Sequence, residues 1–475
     1  MKLAMKLVAK SLFLLVSFGA ILAHAQTFQH VVIIFQENRT PDNLFQGLCG
    51  PTRQFCPVPY NLRNYGFDKG GRKIPLVRTP LGINYDPDHE LSSFLTMCDL
   101  NPATNTCRMD GQPTTGCPFG ACEYAYVNPG DVEPYLAMAQ QYGWANYMFS
   151  TQQGPTLPGH QFIFSGTSAT SAEYDAAATF VSNNPNNGTG TGCLATLDEI
   201  NWVVSPQSWP TENQWYNDPL GTFCIQHDSM ATLLDNHQPP LSWKYYANGA
   251  SPIGTAPNWF QDICVPDSQY QNCTGQEWLN NVDVYPPDFF NDIGACKLAN
   301  MTWIIPRGQD SDHPGDPSFT GGPSWVASIV NAIGESPCQN PDGSSYWNST
   351  AIFVTWDDWG GCYDHEPPTL LSVPDQGQGD YQYGFRVPLL VVSAYTPLGY
   401  VDNARYDFGS ILRFVEHNFG IPEGALNFAD ARATNDLTSF FEWHQQARVF
   451  QHIAAPKSTD FFLNDKRPMA PPDDN

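Results

Sequence analysis

Short apolar runs and amphipathic stretches alternate along the chain. Residues 31–36, 351–356 and 387–392 are rich in β-branched and aromatic side chains, which predicts buried β-strands. Strands separated by helices over this length predict an α/β fold with a central, mainly parallel sheet. Weaker patterns predict the remaining elements: strands over 144–149, 241–246 and 301–305, and helices over 132–142, from Thr156 onward, over 325–333 and over 406–419.

Two stretches interrupt this pattern and predict insertions. The first, near residues 45–130, is polar and holds six cysteines, and the second, near 169–240, is rich in Asn and Gly. We therefore expect a single domain over 26–465 that carries both insertions. Residues 466–475 are expected to form a loose C-terminal tail.

The first residues have the pattern of a secretory signal peptide. Lys2, Lys6 and Lys10 precede an apolar run over 12–22, and Ala23-His24-Ala25 places small residues at the cleavage spacing. No later apolar run reaches the ~18 residues that a membrane-spanning helix needs. We expect a signal peptide over 1–25 and a mature protein that is secreted or periplasmic, without an integral membrane segment.

The net charge restricts the binding partners that are compatible with the chain, and the cysteine content indicates its cellular compartment. The 22 basic and 47 acidic residues give a formal net charge of −25, so nucleic acids and anionic bilayers would be repelled. The 13 cysteines fit an oxidising compartment. Neighbouring cysteines predict short disulfide loops: Cys49–Cys56, Cys98–Cys107, Cys117–Cys122 and Cys264–Cys273. Four others would pair over longer range, with a connectivity that the sequence leaves open: Cys193, Cys224, Cys296 and Cys338.

Polar side chains follow two of the strongest strands, at the point where each strand ends. Glu37 and Asn38 come directly after residues 31–36, and Asp357 and Asp358 follow residues 351–356. Ligands of open α/β sheets bind at the carboxyl ends of the strands. If the two strands are neighbours, these side chains converge into an oxygen-rich shell suited to a divalent cation. The alternative is that each pair merely faces water.

Thr156 is the candidate nucleophile. Its hydroxyl lies at the amino end of a predicted helix, in the field of unpaired amides, and a nearby cation would ionise it. The same amides could hold a phosphate oxygen. The alternative is ordinary helix capping, which is the commonest role of Thr at a helix start.

Four histidines lie in or beside Asp-, Gly- and Pro-rich segments near strand ends: His89, His160, His313 and His365. Such positions suit contact with phosphate or acid/base catalysis. The alternative for each is a hydrogen-bonded loop residue, and for His160 it is packing beside Phe164.

Six segments together resemble the secreted bacterial phosphoesterase family that contains phospholipases C and acid phosphatase A. They begin at Glu37 (ENRTPD), Gly154 (GPTLPGH), Asp312 (DHP), Thr355 (TWDDWGGCYDH), Arg386 (RVP) and Tyr406 (YDFGSILRF). The resemblance runs from about residue 31 to 422 and implies an alkaline-phosphatase-like sandwich, with helices flanking the central sheet. It also implies one divalent cation (Ca, Mg, Mn or Zn), with these ligands: Glu37, Asn38, Asp357, Asp358 and the hydroxyl of Thr156.

The resemblance implies a phosphate-ester substrate, either a phospholipid headgroup or a small monoester. Thr156 would attack phosphorus, and His365 or His313 would protonate the leaving alcohol. The residues expected on the substrate side are His89, His160, Gly159 and Asp364.

The sequence departs from the family pattern at several positions. Gly159 stands where an Asn that would contact phosphate is common, Asp358 where Glu is common, and Phe408 where His is common. The first departure affects substrate choice more than reaction type. Cys362 occupies a position where the family has a buried Phe, so we expect Cys362 to be the free thiol.

Three functions fit these observations. The first is a secreted, metal-dependent phosphoric-ester hydrolase of the phospholipase C type. The second is an acid phosphatase acting on small phosphomonoesters. The third is a non-enzymatic binding protein on a phosphatase scaffold, for glycans recognised through the 13 tryptophans. The last is disfavoured because all the ligand positions are retained.

Overall fold

The computed structural model describes residues 27–50, 59–104, 106–112, 122–186, 190–195, 199–209, 211–216, 224–372 and 380–473. The expected signal peptide over 1–25 lies outside these residues. None of the helices in the described ranges is long and apolar enough to cross a membrane.

An eight-stranded sheet forms the centre of the molecule. Its strands, in chain order, are β1 His30–Gln36, β2 Gly143–Met148, β3 Trp243–Tyr246, β4 Val282–Asp283, β5 Met301–Ile304, β6 Thr350–Trp356, β7 Leu389–Val392 and β8 Tyr400–Tyr406. Their spatial order is β4-β3-β5-β1-β6-β7-β2-β8, and β7 alone among them runs antiparallel to its neighbours. The predicted α/β class with a mainly parallel sheet is confirmed.

Helices cover both faces of this sheet. Those described are α1 Pro41–Leu44, α2 Leu91–Cys98, α3 Glu133–Gln141, α4 Thr156–Ser165, α5 Ala172–Ala176, α6 Met230–Asn236, α7 Gln276–Asn281, α8 Asp288–Gly294, α9 Gly322–Gly334, α10 Phe408–Phe419, α11 Ala429–Arg432 and α12 Thr459–Asn464. Side chains alternate between the two faces of a strand. Phe35 accordingly contacts Phe408 of α10, whereas Trp356 contacts Tyr135 of α3 on the other face.

The structure departs from the sequence prediction around residue 406. The expected helix over 406–419 begins at Phe408, and Tyr406 instead ends β8, a strand that the sequence pattern did not predict. The helix starts there because Asp407 and Ser410 form a reciprocal cap. The Asp407 carboxylate accepts a hydrogen bond from the amide of Ser410, and the Ser410 hydroxyl accepts one from the amide of Asp407.

The two expected insertions contain short elements of their own. The first carries α2 and three strand pairs: Tyr65–Phe67 with Lys73–Pro75, Val77–Thr79 with Ala125–Val127, and Leu100–Asn101 with Thr106–Cys107. The second carries α5, α6 and a small sheet of Phe180–Val181, Ile200–Val204 and Asn213–Tyr216. Leu370–Ser372 pairs with Asp380–Gln382 elsewhere in the chain.

Disulfides agree with the expected pattern where both partners are described. Cys98–Cys107 and Cys264–Cys273 form as predicted, and the long-range pairs are Cys193–Cys224 and Cys296–Cys338. Cys49 and Cys122 are also disulfide-bonded, but their expected partners, Cys56 and Cys117, lie outside the described residues. Cys362 is buried and free, as predicted.

The described part of the segment expected to be a loose tail is instead attached to the domain. The amide of Gly308 donates a hydrogen bond to the carbonyl of Ala470 at 2.7 Å. Arg467 pairs with Asp465, and Asp473 is buried. Composition alone predicted looseness because Pro-rich polar segments form no regular elements, yet irregular backbone can still be held by tertiary contacts.

Candidate functional site

The carboxyl ends of β1 and β6 lie side by side. Gln36 and Trp356 are register partners at the last position of each strand, so the residues that follow them emerge at the same edge. The amide of Asp357 donates to the carbonyl of Gln36 at 3.1 Å, and the amide of Asn38 donates to the Asp357 carboxylate at 3.0 Å. The expected convergence of Glu37, Asn38, Asp357 and Asp358 is therefore present.

A glycine allows the two strand ends to pack this closely. Gly360 has a φ of +58°, and a Cβ at this position would overlap the backbone carbonyl of Asn38. Asn38 itself has a φ of +61°, which Asn tolerates better than most residues. The space beside Gly360 is thus taken by the backbone of Asn38.

Burial disfavours the ionised form of the converging carboxyl groups. Burial raises the pKa of Glu37 to about 8. Burial, together with the neighbouring Glu37, raises the pKa of Asp357 to about 8. The pKa of Asp358 is also raised, by burial and by the charge of Asp357. Buried carboxyl groups with mutually raised pKa values require either shared protons or a cation.

The unpaired oxygens of this cluster fit a divalent cation. Within the described residues, these buried oxygens accept no hydrogen bond: both carboxylate oxygens of Glu37, Oδ1 of Asn38, and Oδ2 of Asp357 and of Asp358. A hard cation prefers such oxygen ligands. The donor set therefore fits the single metal ion implied by the sequence resemblance.

His160 lies on the carboxylate side of the site. Its Nε2 is 3.6 Å from Glu37 Oε1 and 3.9 Å from Asp357 Oδ2, and its ring packs against Phe35. Burial lowers its pKa to about 4, which keeps the ring neutral. A neutral imidazole beside two carboxylates is a further candidate metal ligand, rather than the substrate contact that the sequence suggested.

Helix α4 packs its first turn directly against the end of β6. It begins at Thr156, as predicted, and a Cβ on Gly159 would lie 2.8 Å from the carbonyl oxygen of Asp357. Gly159 therefore permits close packing of the helix, which explains why a larger residue is absent there. The structure gives Gly159 this packing role in place of the expected substrate contact.

A polar pocket surrounds the hydroxyl of Thr156. The hydroxyl donates a 2.8 Å hydrogen bond to Oδ2 of Asp473, and Nδ2 of Asn184 donates to the same oxygen at 3.2 Å. Nε2 of His89 is 3.8 Å from Oδ2 of Asp473, and Nε2 of His313 is 3.9 Å from its Oδ1. All five side chains are buried, so a carboxylate sits among donors in a site closed to water.

Asn38 connects this pocket to the carboxylate cluster. Its Nδ2 lies 3.0 Å from Nε2 of both His89 and His313. Burial lowers the pKa of His89, but the charges of Asp358 and Asp473 outweigh it and raise the pKa well above the usual value. The shift favours the protonated form of His89 next to Thr156, which is the form that attracts an anionic group such as the Asp473 carboxylate.

His365 and Asp364 belong to a separate ion-pair network. Nδ1 of His365 lies 2.7 Å from Asp42 Oδ2, and its Nε2 lies 3.0 Å from Asn61 Oδ1. Asp364 receives two hydrogen bonds from the guanidinium of Arg386, at 2.8 and 3.0 Å. His365 and Asp364 thus belong with Asp42, apart from the group of His89, His313 and Asp473 around Thr156.

The model of the phosphoesterase family matches residues 28–422. The chain belongs to the phosphoesterase family. A non-hemolytic phospholipase C of Pseudomonas aeruginosa is 24% identical over 447 residues, which cover 87% of this chain and 57% of that protein. Phospholipase C A of Mycobacterium tuberculosis is 24% identical over 462 residues, which cover 88% of this chain and 78% of that protein. This phosphoesterase thus spans little more than half the length of the Pseudomonas relative.

Solved structures similar to this phosphoesterase include a protein of the alkaline phosphatase superfamily from Vibrio parahaemolyticus. The two are 11% identical, the match covers 86% of this chain and 67% of the other, and the TM-score is 0.32.

Two residues of the site gave no signal in the sequence. Asn184 lies in the weakly patterned insertion, and its Oδ1 accepts a 3.0 Å hydrogen bond from the amide of Leu157 at the start of α4. Asp473 follows two prolines near the end of the sequence. Asn184 and Asp473 reach Thr156 only through tertiary folding.

Proposed function

We propose that this phosphoesterase hydrolyses phosphoric esters in the manner of a phospholipase C, with Thr156 as the nucleophile. The observation that supports the proposal best is the pocket itself. A hydroxyl at a helix start donates to an anion that is surrounded by an amide and two imidazoles. These donors lie next to a cluster of buried carboxylates that fits a cation.

The proposed metal ligands are the oxygens of Glu37, Asn38, Asp357 and Asp358, together with the hydroxyl of Thr156. A divalent cation held there would favour the ionised form of the Thr156 hydroxyl and offset negative charge on the phosphoryl group. Which cation is used stays open among Ca, Mg, Mn and Zn.

Different side chains of the site then act in the successive steps of the reaction. The Thr156 oxygen, having passed its proton to a water molecule that enters with the substrate, attacks phosphorus, and the bond from phosphorus to the leaving oxygen breaks. His89 and Asn184 stabilise the charge on the other phosphoryl oxygens. Water then cleaves the phosphothreonine, which releases phosphate or a phosphate monoester and regenerates Thr156.

His313 is the proposed acid that protonates the leaving alcohol. Its Nε2 lies 3.0 Å from Nδ2 of Asn38 and 3.9 Å from Oδ1 of Asp473, whose other oxygen accepts the hydrogen bond of Thr156. The sequence offered His365 as an equal candidate, but its ring is bound to Asp42 and Asn61, in a network separate from the groups around Thr156. Geometry therefore favours His313.

Two substrate classes are separated by one pair of assays. The relatives are named phospholipases C, which favours a phospholipid diester, and the acidic chain favours a zwitterionic headgroup over an anionic one. Purified protein is assayed with p-nitrophenylphosphorylcholine and with p-nitrophenyl phosphate, before and after metal removal. Faster cleavage of the choline ester supports the phospholipase C assignment. A preference for the monoester supports an acid phosphatase, and no metal-dependent cleavage of either contradicts the proposal.

The proposed location is outside the cytoplasm. The lysine-led apolar run at the start of the sequence and the four described disulfides support export. Detection of a mature amino terminus after residue 25 in the culture medium or periplasm would test it.

A further inference from the structure

Asp473 occupies the place that an anionic substrate group needs. Its Oδ2 accepts hydrogen bonds from Thr156 Oγ1 at 2.8 Å and from Asn184 Nδ2 at 3.2 Å. His89 and His313 lie just beyond hydrogen-bond distance on either side of the carboxylate. Asp473 is 3% exposed, so its charge is held in the pocket rather than in water. Such placement is unusual for a polar residue next to two prolines in an irregular segment.

A carboxylate makes the same kinds of contact as a phosphoryl group. Both present negative oxygens that accept hydrogen bonds from hydroxyl, amide and imidazole donors. The oxygen of Thr156 cannot stay 2.8 Å from this carboxylate and also approach a phosphorus atom in the same space. Substrate can therefore reach Thr156 only after the carboxylate has left.

The segment that carries Asp473 is attached by polar contacts and by a buried proline, Pro472. We call residues 465–473 the plug segment. Arg307 and Arg467 both pair with Asp465, and the carbonyl of Ala470 accepts a hydrogen bond from the amide of Gly308 at 2.7 Å. Met469, between these contacts, is 44% exposed.

The plug segment contains no regular secondary structure, so its displacement breaks no helix or strand hydrogen bonds. From residue 465 to 473 the backbone forms only bends and irregular turns. A segment without helix or sheet bonds can leave the surface without disturbing the sheet or the helices around it. The contacts at Asp465 lie eight residues before Asp473 and could remain while the carboxylate swings out.

We propose that the plug segment is an intrasteric inhibitor, in which the Asp473 carboxylate takes the position of the substrate's phosphoryl group. The proposal rests on the proposed function, since it assumes that this pocket binds phosphate. The inhibition is competitive: the carboxylate lowers the fraction of molecules able to bind substrate and leaves the catalytic residues unchanged. A phosphate ester at sufficient concentration, or any contact that draws the segment away, releases the site.

The test compares Asp473→Asn and Asp473→Ala with the parent chain, all at full length. Asn keeps the shape and loses the charge, whereas Ala loses both. We expect KM for p-nitrophenyl phosphate to fall by about tenfold or more with kcat retained, because a hydrogen bond to a charged group is worth about that factor. Asp460→Asn removes the same charge from an exposed position on α12 and should leave KM unchanged.

A second measurement does not depend on turnover. Binding of inorganic phosphate, measured by calorimetry, should tighten in both Asp473 variants by a factor similar to the fall in KM. Arg467→Ala loosens the plug segment at a distance from the pocket. It should lower KM and tighten phosphate binding as well, but by smaller factors than the Asp473 variants. Hydrogen exchange over residues 465–473 should speed up in that variant.

The outcomes separate this proposal from the proposed function. A large loss of kcat in both Asp473 variants overturns the inhibitor proposal, because it makes Asp473 part of the catalytic machinery. Unchanged KM and unchanged phosphate affinity also overturn it, while leaving the hydrolase assignment intact. Tighter phosphate binding without any hydrolysis supports the plug and contradicts the proposed function.

Discussion

Gln36 and Trp356 face each other at the last register position of two neighbouring parallel strands, 320 residues apart in the chain but hydrogen-bonded through the following amide. This pairing places Glu37 beside Asp357 and buries both. The fold thus places several carboxyl groups side by side, where their ionised forms repel one another unless a cation binds between them.

Removing one carboxylate should weaken metal binding and stabilise the metal-free protein. Above pH 8, where Glu37 and Asp357 both ionise, Glu37→Gln eliminates a buried charge that repels Asp357, so the metal-free variant should melt above the metal-free parent at that pH. The gain in melting temperature that added divalent cation gives the parent should disappear in the variant. Thermal melts with and without chelator measure both effects. Glu335→Gln, on the surface, serves as the matched control.

Thr156→Ala should remove activity without unfolding the chain. The loss should be roughly 10⁴-fold or more in kcat, as expected when a nucleophile is deleted. Thr156→Ser keeps a hydroxyl and should retain much of the activity. Steady-state rates and circular dichroism are compared for the three proteins, and an Ala variant that still turns over would exclude Thr156 from the reaction.

Gly360→Ala should destabilise the fold and disturb the metal site together. A Cβ there overlaps the carbonyl of Asn38 in addition to adopting an unfavourable positive φ, so we expect a loss of about 3 kcal/mol or more in unfolding free energy. Gly343 also has a positive φ but has open space around its Cα. Gly343→Ala should therefore cost only the conformational strain, about 1–2 kcal/mol. Equal losses in denaturant unfolding would contradict the close approach.

Arg386→Met should reduce the stability of the fold more than the catalytic rate of the molecules that remain folded. Arg386 is buried and holds Asp364 with two hydrogen bonds, so removing it leaves carboxylates without a cation and should cost about 3–5 kcal/mol. Arg405→Met, at an exposed position, should stay within about 0.5 kcal/mol of the parent. If Asp364 contacts substrate after all, Asp364→Asn would raise KM in protein that is still folded.

The leaving-group acid can be identified from the dependence on leaving group. p-Nitrophenolate departs readily without a proton, whereas the alcohol of an alkyl phosphate does not. His313→Asn should therefore slow hydrolysis of an alkyl phosphate much more than that of p-nitrophenyl phosphate. His365→Asn should affect the two substrates alike, because the ring of His365 is bound to Asp42 and Asn61. The reverse pattern would restore His365 as the acid.

The sequence predicted the strand ends well because two physical signals agree there. Apolar runs mark β1 and β6, and the abrupt change to Glu37 and Asp357 marks the edge where ligands of open sheets bind. The start of α4 was also predictable, since the Gly154-Pro155 turn precedes Thr156. These features depend on local pattern alone.

Other parts of the site could not be predicted because they depend on tertiary neighbours. Nothing local distinguishes Asp473 from other acidic residues in an acidic chain, or Asn184 from other asparagines in its insertion. His365 was expected to be catalytic and Asp364 to bind substrate because a sequence does not show that Arg386 is buried beside them. Strand β8 was missed because it lies at the sheet edge and alternates with polar residues.

The central claim is that one divalent cation lies among the oxygens of Glu37, Asn38, Asp357 and Asp358, within bonding distance of Thr156. Anomalous diffraction from crystals grown with Mn²⁺ tests it most directly. The account predicts a single strong peak bounded by those four side chains and the Thr156 hydroxyl. A peak at Asp42, Asp364 and His365 instead, or no ordered peak among the four, would contradict it.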